Sequence, residues 1–136
     1  LCGCISPPEM RLRQIQRIME ASMWGKLIAV FIGSGLGGMC RWAVSQVPCT
    51  SWPAGTLIAN VGGCFLLGWL SRMAPGSEMV RMLLMTGFCG GFTTFSTFTN
   101  ESLLMLRTGQ LLPLALYAGG SLVLGLCAAA LGYKCM

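Results

Sequence analysis

The sequence predicts an all-α integral membrane protein with four transmembrane helices, the third of them broken. Of its 136 residues, 54% are hydrophobic and only 10% are charged, whereas ordinary globular chains have roughly 25% charged residues. The apolar residues cluster in four long blocks, and they lack the alternation with polar residues that marks a transmembrane β-barrel. We therefore expect a multi-pass protein of the cell (inner or plasma) membrane, in contact with the lipid bilayer.

The charged and titratable residues exclude several classes of function. The net charge of +5 arises mainly because acids are scarce, and no basic run is long enough to bind a nucleic-acid backbone. Histidine is absent, which removes the usual general base and the commonest zinc ligand. A GxxxxGK[ST] loop for ATP is absent as well. We expect neither an enzyme nor a nucleic-acid partner.

The chain divides into an extension over residues 1–22 and a membrane domain over residues 23–136. The extension contains five charged residues and the pair Pro7-Pro8, and it lacks a continuous apolar run. This composition is compatible with a short interfacial helix. Met23 stands directly before the first apolar segment, so we expect the extension to be dispensable.

Four apolar segments follow, near or above the roughly 20 residues that cross a hydrocarbon core as a helix. They run over residues 24–45, 52–73, 80–106 and 111–133. Turn residues fall between them, and aromatic residues that favour the headgroup level lie near their ends: Pro48, Pro53, Pro75, Gly76, Gly109, Trp24, Trp52, Trp69 and Tyr133. The spacing Gly33-x-x-x-Gly37 predicts close helix packing. With 19 glycines in the chain, we also expect a large face to pack against a second copy.

The third segment contains the stretch least suited to a helix. Over residues 87–101 it has three glycines and several β-branched threonines, and each glycine costs about 1 kcal/mol relative to alanine. We expect the helix to break between Gly90 and Thr94. Such a break presents free carbonyls, which suit a hard cation, and then a helix N-terminus, which suits an anion.

This stretch resembles the signature of the Fluc/CrcB fluoride channels. The run Gly90-Gly91-Phe92-Thr93-Thr94-Phe95-Ser96-Thr97-Phe98 carries the resemblance, with Glu101 shortly after it. The other segments agree through Gly33 to Gly38 followed by Arg41, Pro53-x-Gly55-Thr56-x-x-x-Asn60-x-x-Gly63, and Tyr117-x-x-x-Ser121. The similarity spans residues 23 to about 133 and does not include the extension.

The resemblance implies a fluoride-selective channel for passive export of cytoplasmic fluoride. It also implies an antiparallel, dual-topology homodimer with a structural sodium ion at its centre. The motif assigns the sodium ligands to the backbone carbonyls of Gly90 and Thr93. It assigns contact with fluoride to Phe95, Phe98, Asn60, Ser96, Thr97, Tyr117 and Ser121. Arg41 and Glu101 match a basic and an acidic position with vestibule or gating roles, and Gly125 departs from relatives that have a hydroxyl there.

The residues support an anion path independently of the resemblance. Phe95 and Phe98 lie three residues apart on one helix face, and aromatic rings have a positive edge that can contact an anion. Asn60 inside an apolar segment is either an interhelical contact or a functional donor. Arg41 either attracts anions at a vestibule or extends its side chain to the membrane interface. No basic residue lies at mid-membrane, and a conducting site needs moderate partners that release the ion.

Three other interpretations are compatible with parts of the sequence. A small four-helix drug or cation exporter would need a membrane-embedded carboxylate, and only Glu101 lies within a predicted helix. A purely structural subunit would show no ion flux. Met82, Met85 and Cys89 would share a helix face and could bind copper(I) as soft ligands, although flexible packing is the commoner role of such residues.

The distribution of basic residues predicts how the chain inserts. With four crossings, one side of the membrane has seven basic residues: Arg11, Arg13, Arg17, Lys26, Arg72, Arg81 and Lys134. The other side has Arg41 and Arg107. For a chain that starts at Met23 the numbers are four and two, a difference small enough to permit insertion in both orientations.

Overall fold

The computed structural model describes residues 8–46, 53–73 and 76–135, and these ranges contain helices and no strand. The elements are α1 (Pro8–Ser45), α2 (Ala54–Met73), α3 (Glu78–Arg81), a π-helix (Met82–Cys89), α4 (Gly90–Phe92), α5 (Phe95–Arg107) and α6 (Leu111–Lys134). The predicted all-α class is confirmed. Residues 1–7 of the extension and the predicted turn and interface residues Pro48, Trp52 and Pro75 lie outside the described residues.

Three continuous helices in the described ranges are long and apolar enough to cross a membrane. They are the Ser22–Ser45 part of α1, α2 and α6, and they coincide with the first, second and fourth predicted segments. α1 begins upstream of the first segment, at Pro8, where proline's fixed φ suits the first helical position. Residues 8–22 of the extension therefore continue the first crossing helix without a break.

The third predicted segment is two half-helices. α3, the π-helix and α4 form the first half over residues 78–92, and α5 forms the second. Between them Thr93 and Thr94 have extended backbone angles, with ψ of 153° and 111°, so the interruption lies within the stretch expected to break. The π-helix was not foreseen from the sequence; such segments are rare and are found mostly at functional sites.

Glycines let α1 and the first half-helix pack backbone against backbone. A Cβ added at Gly33 would collide with the carbonyl oxygen of Leu83, and one added at Gly37 would collide with that of Phe88. From the opposite side, a Cβ at Gly91 would collide with the backbone of Ser34. The close packing predicted from Gly33-x-x-x-Gly37 is confirmed, and its partner is a segment of the same chain.

A second pair of helices is packed in the same way. α2 and α6 approach so closely that a Cβ at Gly68 would collide with the carbonyl of Ala129, and one at Gly132 with that of Phe65. Contacting residue numbers rise together along α1 and the first half-helix, and they also rise together along α2 and α6, where Cys64 lies beside Gly125 and Arg72 beside Tyr133. The helices of each pair therefore run parallel. The bundle is therefore built from two parallel pairs, and the break in the third segment lies between them.

Two contacts bring four helix ends together. Lys26 Nζ donates to Glu78 Oε1 at 2.8 Å, and this hydrogen bond, with the charge of Lys26, lowers the pKa of Glu78 below its ordinary value. The guanidinium of Arg72 lies over the Tyr133 ring, 5.7 Å from its centre. The start of the first crossing, the end of α2, the start of α3 and the end of α6 thus lie at one end of the bundle.

Replacing Gly37 with alanine tests the backbone contact between α1 and the first half-helix. We expect Gly37→Ala to destabilise the protein by about 1–3 kcal/mol, since the added methyl group forces two backbones apart. Thermal unfolding of the purified protein in detergent measures the effect. Gly35→Ala is the matched control, because a Cβ there meets nothing within 4 Å. Equal losses of stability in the two variants would contradict the assigned contact.

Candidate functional site

The side chain of Asn60 holds the break in the third segment. Its Oδ1 accepts a hydrogen bond from the Thr94 backbone N–H at 2.7 Å, and its Nδ2 donates to the Thr94 carbonyl at 3.2 Å. Thr94 is 8% exposed, and an unpaired backbone group buried in an apolar environment is costly. The amide of Asn60 therefore acts as a substitute backbone partner for Thr94, one of the two residues between the half-helices.

The break removes the helical donors of the carbonyl groups at residues 90–93, and those of Gly90 and Thr93 are among them. In an unbroken α-helix the Gly90 carbonyl would accept from the Thr94 N–H, and the Thr93 carbonyl from the Thr97 N–H. Here the Thr94 N–H bonds Asn60, and the Thr97 N–H donates to Thr94 Oγ1 at 3.3 Å. The carbonyls of Gly90 and Thr93 are therefore released from the helical pattern, and both residues line a cavity.

This cavity has a volume of about 630 Å³ and mostly apolar walls. It brings together six of the predicted site residues: Asn60, Gly90, Thr93, Phe95, Phe98 and Ser121. The hydroxyl oxygen of Ser121 is buried and has no hydrogen-bond partner among the described residues. This unpaired oxygen belongs to a residue that lines the cavity.

The two aromatic rings at the cavity have different surroundings. The centres of the Phe95 and Phe98 rings are 6.0 Å apart, and the Phe98 ring also lies 5.1 Å from the ring of Tyr117. Phe95 is 80% exposed. Phe92, by contrast, stacks on Phe88 with 5.9 Å between ring centres and lies close to Gly62. Phe92 packs inside the bundle, whereas Phe95 faces away from it.

Three hydroxyl groups form a cluster at the N-terminus of α5. Thr94 Oγ1 lies 2.9 Å from Thr97 Oγ1 and 3.3 Å from Ser96 Oγ. Thr94 is the N-cap of α5, a position at which threonine is favoured because its oxygen accepts an orphan N–H. Ser96 and Thr97, both predicted to contact the ion, are therefore linked to the cap and are not among the residues that line the cavity.

Glu101, in the middle of α5, connects three helices. Thr56 Oγ1 in α2 donates to Glu101 Oε1 at 2.8 Å, and the Tyr117 hydroxyl in α6 donates to Oε2 at 2.7 Å. Tyr117 is 1% exposed. Hydrogen bonds to a charged group are about twice as strong as neutral ones. Each oxygen of the carboxylate thus has a hydroxyl donor, and the group ties α5 to the α2–α6 pair.

Arg41 lies against the end of the first half-helix. Its Nε donates to the carbonyl oxygen of Gly91 at 3.3 Å, and the side chain is half-buried. A cation near the C-terminal carbonyls of a helix is favourable. The sequence allowed two roles for Arg41, attraction of anions at a vestibule or extension to the membrane interface. In the structure Arg41 contacts the backbone two residues before the break.

Two residues of the site were missed in the sequence. Thr94 was not among the predicted site residues although it caps α5. The sequence feature that could have identified it is a threonine directly before the helix that follows the break, because threonine is favoured at the N-cap. Thr56 shares a helix face with Asn60, but nothing in the sequence indicated that it would meet Glu101. Gly125, the departure from the resemblance, is buried beside Cys64, whose Sγ lies 3.5 Å from the Cβ position.

Comparison with known proteins gives a family and several curated relatives. The family described as "CrcB-like protein, Camphor Resistance (CrcB)" matches residues 28–133. A protein of Yersinia pestis named fluoride-specific ion channel FluC 1 is 41% identical over 109 residues, covering 75% of this chain and 83% of that protein. A protein of Chlorobium phaeobacteroides named fluoride-specific ion channel FluC is 42% identical over 110 residues, with 76% and 86% covered.

Removing the amide of Asn60 tests whether this side chain stabilises the break in the third segment. We expect Asn60→Leu to leave the N–H and C=O of Thr94 unpaired, at a cost of about 1–3 kcal/mol for each group. Thermal unfolding and amide hydrogen exchange at residues 90–97 measure the loss. Asn100→Leu, on an exposed position of α5, controls for loss of an asparagine. If both variants exchange like the parent protein, Asn60 does not hold the break.

Proposed function

Since this chain belongs to the CrcB-like family and its matched relatives are named fluoride-specific ion channels, we propose that it is a fluoride-selective ion channel. It is a multi-pass membrane protein and not an enzyme. We place it in the inner or plasma membrane. The observation that supports the proposal best is the cavity beside the break, which contains the ring pair and unpaired polar groups.

The cavity offers fluoride several weak partners. The ring edges of Phe95 and Phe98, the free hydroxyl of Ser121 and the second N–H of the Asn60 amide can each contact an anion. No lysine or arginine is among the residues that line the cavity. A small, strongly hydrated anion can exchange its water for such partners and leave again, which conduction requires.

The proposed direction of transport is export. Fluoride enters a cell as neutral HF and dissociates in the more alkaline cytoplasm, where it is trapped as an anion. The membrane potential then drives the anion outward through a passive channel. The sequence has no ATP-binding loop, and the proposed path needs none.

We further propose a structural sodium ion held by the Gly90 and Thr93 carbonyls. These carbonyls have lost their helical donors, both residues line the cavity, and no carboxylate lines it. Neutral oxygen ligands suit a monovalent hard cation better than calcium, which is usually held by carboxylates. The ion would bind where the first half-helix ends, beside the break.

The proposed assembly is an antiparallel, dual-topology homodimer. In each subunit the two half-helices together make the third of four crossings. α5 packs against the rest of the chain much less than α2 and α6 pack against each other, and Phe95 is largely exposed. A second copy would cover this face and the cavity. The exporter alternative has less support, because the named relatives are channels and both oxygens of Glu101 are hydrogen-bonded.

Substituting the rings tests the proposed path. We expect Phe95→Ile and Phe98→Ile to lower fluoride efflux from proteoliposomes about tenfold or more, since losing about 1.4 kcal/mol of stabilisation slows a step tenfold. Phe92→Ile is the control, because Phe92 packs away from the cavity. Size-exclusion profiles check assembly. Parental flux in both test variants would remove the rings from the path, and absence of flux in the parent protein would refute the channel.

The sodium site can be tested by ion replacement. We expect crystals grown with thallium(I) in place of sodium to show an anomalous peak beside the Gly90 and Thr93 carbonyls. Thr93→Ser should retain the peak, because the ligand is a backbone oxygen. A site that contains no density in either salt would overturn the assignment.

The orientation prediction concerns the chain that starts at Met23. Its basic residues are nearly balanced between the two sides, so we expect it to insert in both orientations. Reporter fusions at the C-terminus should be active on both sides of the membrane. Activity on one side only would show a single orientation.

A further inference from the structure

Three residues with sulfur-containing side chains line the cavity, and they have no part in the proposed passage of fluoride. They are Cys64 in α2 and Met85 and Cys89 in the π-helix. Met85 and Cys89 were expected on one face from the sequence, together with Met82. The structure puts Cys64 at the cavity with them and leaves Met82 outside its lining.

Contacts through Thr93 bring the two thiol-bearing segments together. The Cys89 carbonyl accepts hydrogen bonds from the Thr93 N–H and the Thr93 hydroxyl, both at 3.0 Å. On the other side, Thr93 packs so tightly against Gly63 that a Cβ there would collide with its methyl group. Cys64 follows Gly63, so the two cysteines flank the same threonine at the wall of one cavity.

The chemistry of this wall favours a soft cation. Thiol and thioether sulfurs are soft ligands that select ions such as copper(I). No carboxylate or imidazole lines the cavity, and the described residues contain no group of three His, Cys, Asp or Glu that could hold a metal. Two thiols and a thioether suit an ion that accepts few ligands. Cys89 itself is buried, with 3% of the residue exposed.

We propose that Cys64, Cys89 and Met85 form a binding site for a soft monovalent d¹⁰ cation of the copper(I) and silver(I) class. Each thiol that binds releases its proton to solvent and keeps its oxidation state, as metal coordination requires. Cys89 directly precedes Gly90, and the Phe95 and Phe98 rings line the same cavity. A bound cation therefore obstructs this space. The obstruction of fluoride passage rests on the proposed channel function, and the binding site does not.

Silver retention by the purified full-length chain tests the site. The protein is loaded with Ag⁺ in chloride-free nitrate buffer, and excess 2-mercaptoethanol then competes for ions held by single thiols. We expect the parent chain to retain about one Ag⁺ more than Cys64→Ser/Cys89→Ser, since chelation at this site requires both thiols. Cys40→Ser/Cys127→Ser is the matched control, because both of its thiols are exposed, and it should retain the ion.

Two single substitutions test the same site if the double substitution disturbs folding. Cys89→Ala should lose the retained ion, and Met85→Leu should bind it more weakly, while both keep the parental size-exclusion profile. Failure of the parent chain to retain silver would overturn the proposal. Equal retention in Cys64→Ser/Cys89→Ser and in the parent would also overturn it.

Fluoride efflux from proteoliposomes tests the obstruction separately. We expect Ag⁺ to stop efflux through the parent and Cys40→Ser/Cys127→Ser proteins, and to leave efflux through Cys64→Ser/Cys89→Ser unchanged. Retained silver with undiminished efflux would overturn the obstruction but not the site. Absence of efflux before silver is added would refute the channel function, and silver retention would still decide the site.

Discussion

The pairing of Asn60 with the backbone of Thr94 is the interaction on which the functional region depends. A helix broken among apolar segments exposes backbone groups that lipid cannot satisfy, and a single side chain from α2 satisfies both groups of Thr94. By taking the Thr94 N–H, Asn60 also frees the carbonyl of Gly90. The Thr94 hydroxyl does the same for the carbonyl of Thr93 by binding the Thr97 N–H. Stabilising the break and exposing two carbonyls are therefore one structural event.

The glycine contacts hold together the helices that surround this break. Without side chains between them, α1 and the first half-helix approach until backbones touch at Gly33 and Gly37, and α2 and α6 do so at Gly68 and Gly132. Dispersion and close packing are the main attraction between helices in lipid. The two tight pairs leave α5 with few contacts in its own chain, and Phe95 on it is largely exposed. The rigid part of the molecule thus supports a half-helix whose aromatic face is free for an ion or a second copy.

The polar groups of the site divide into those already paired and those available to a ligand. Both oxygens of Glu101 accept hydroxyl hydrogens from Thr56 and Tyr117, so this carboxylate connects helices. The Ser121 hydroxyl has no partner among the described residues, and it lines the cavity. The resemblance assigns both Tyr117 and Ser121 to contact with the ion, whereas the hydrogen bonds distinguish Tyr117, which is paired with Glu101, from Ser121, which has no partner among the described residues.

The sequence by itself determined the all-helical class, the limits of the three continuous crossings, the close packing at Gly33 and Gly37, and the stretch that contains the break. These are local properties, because hydropathy, segment length and the low helix propensity of glycine and threonine act within one stretch of chain. Tertiary structure decided the pairing of Asn60 with Thr94, the contacts of Thr56 with Glu101 and of Arg41 with Gly91, and the presence of Cys64 and Cys89 at one cavity. Each of these joins residues far apart in sequence, and a side chain's partner is chosen by the helix packed beside it. No spacing along the chain records that choice.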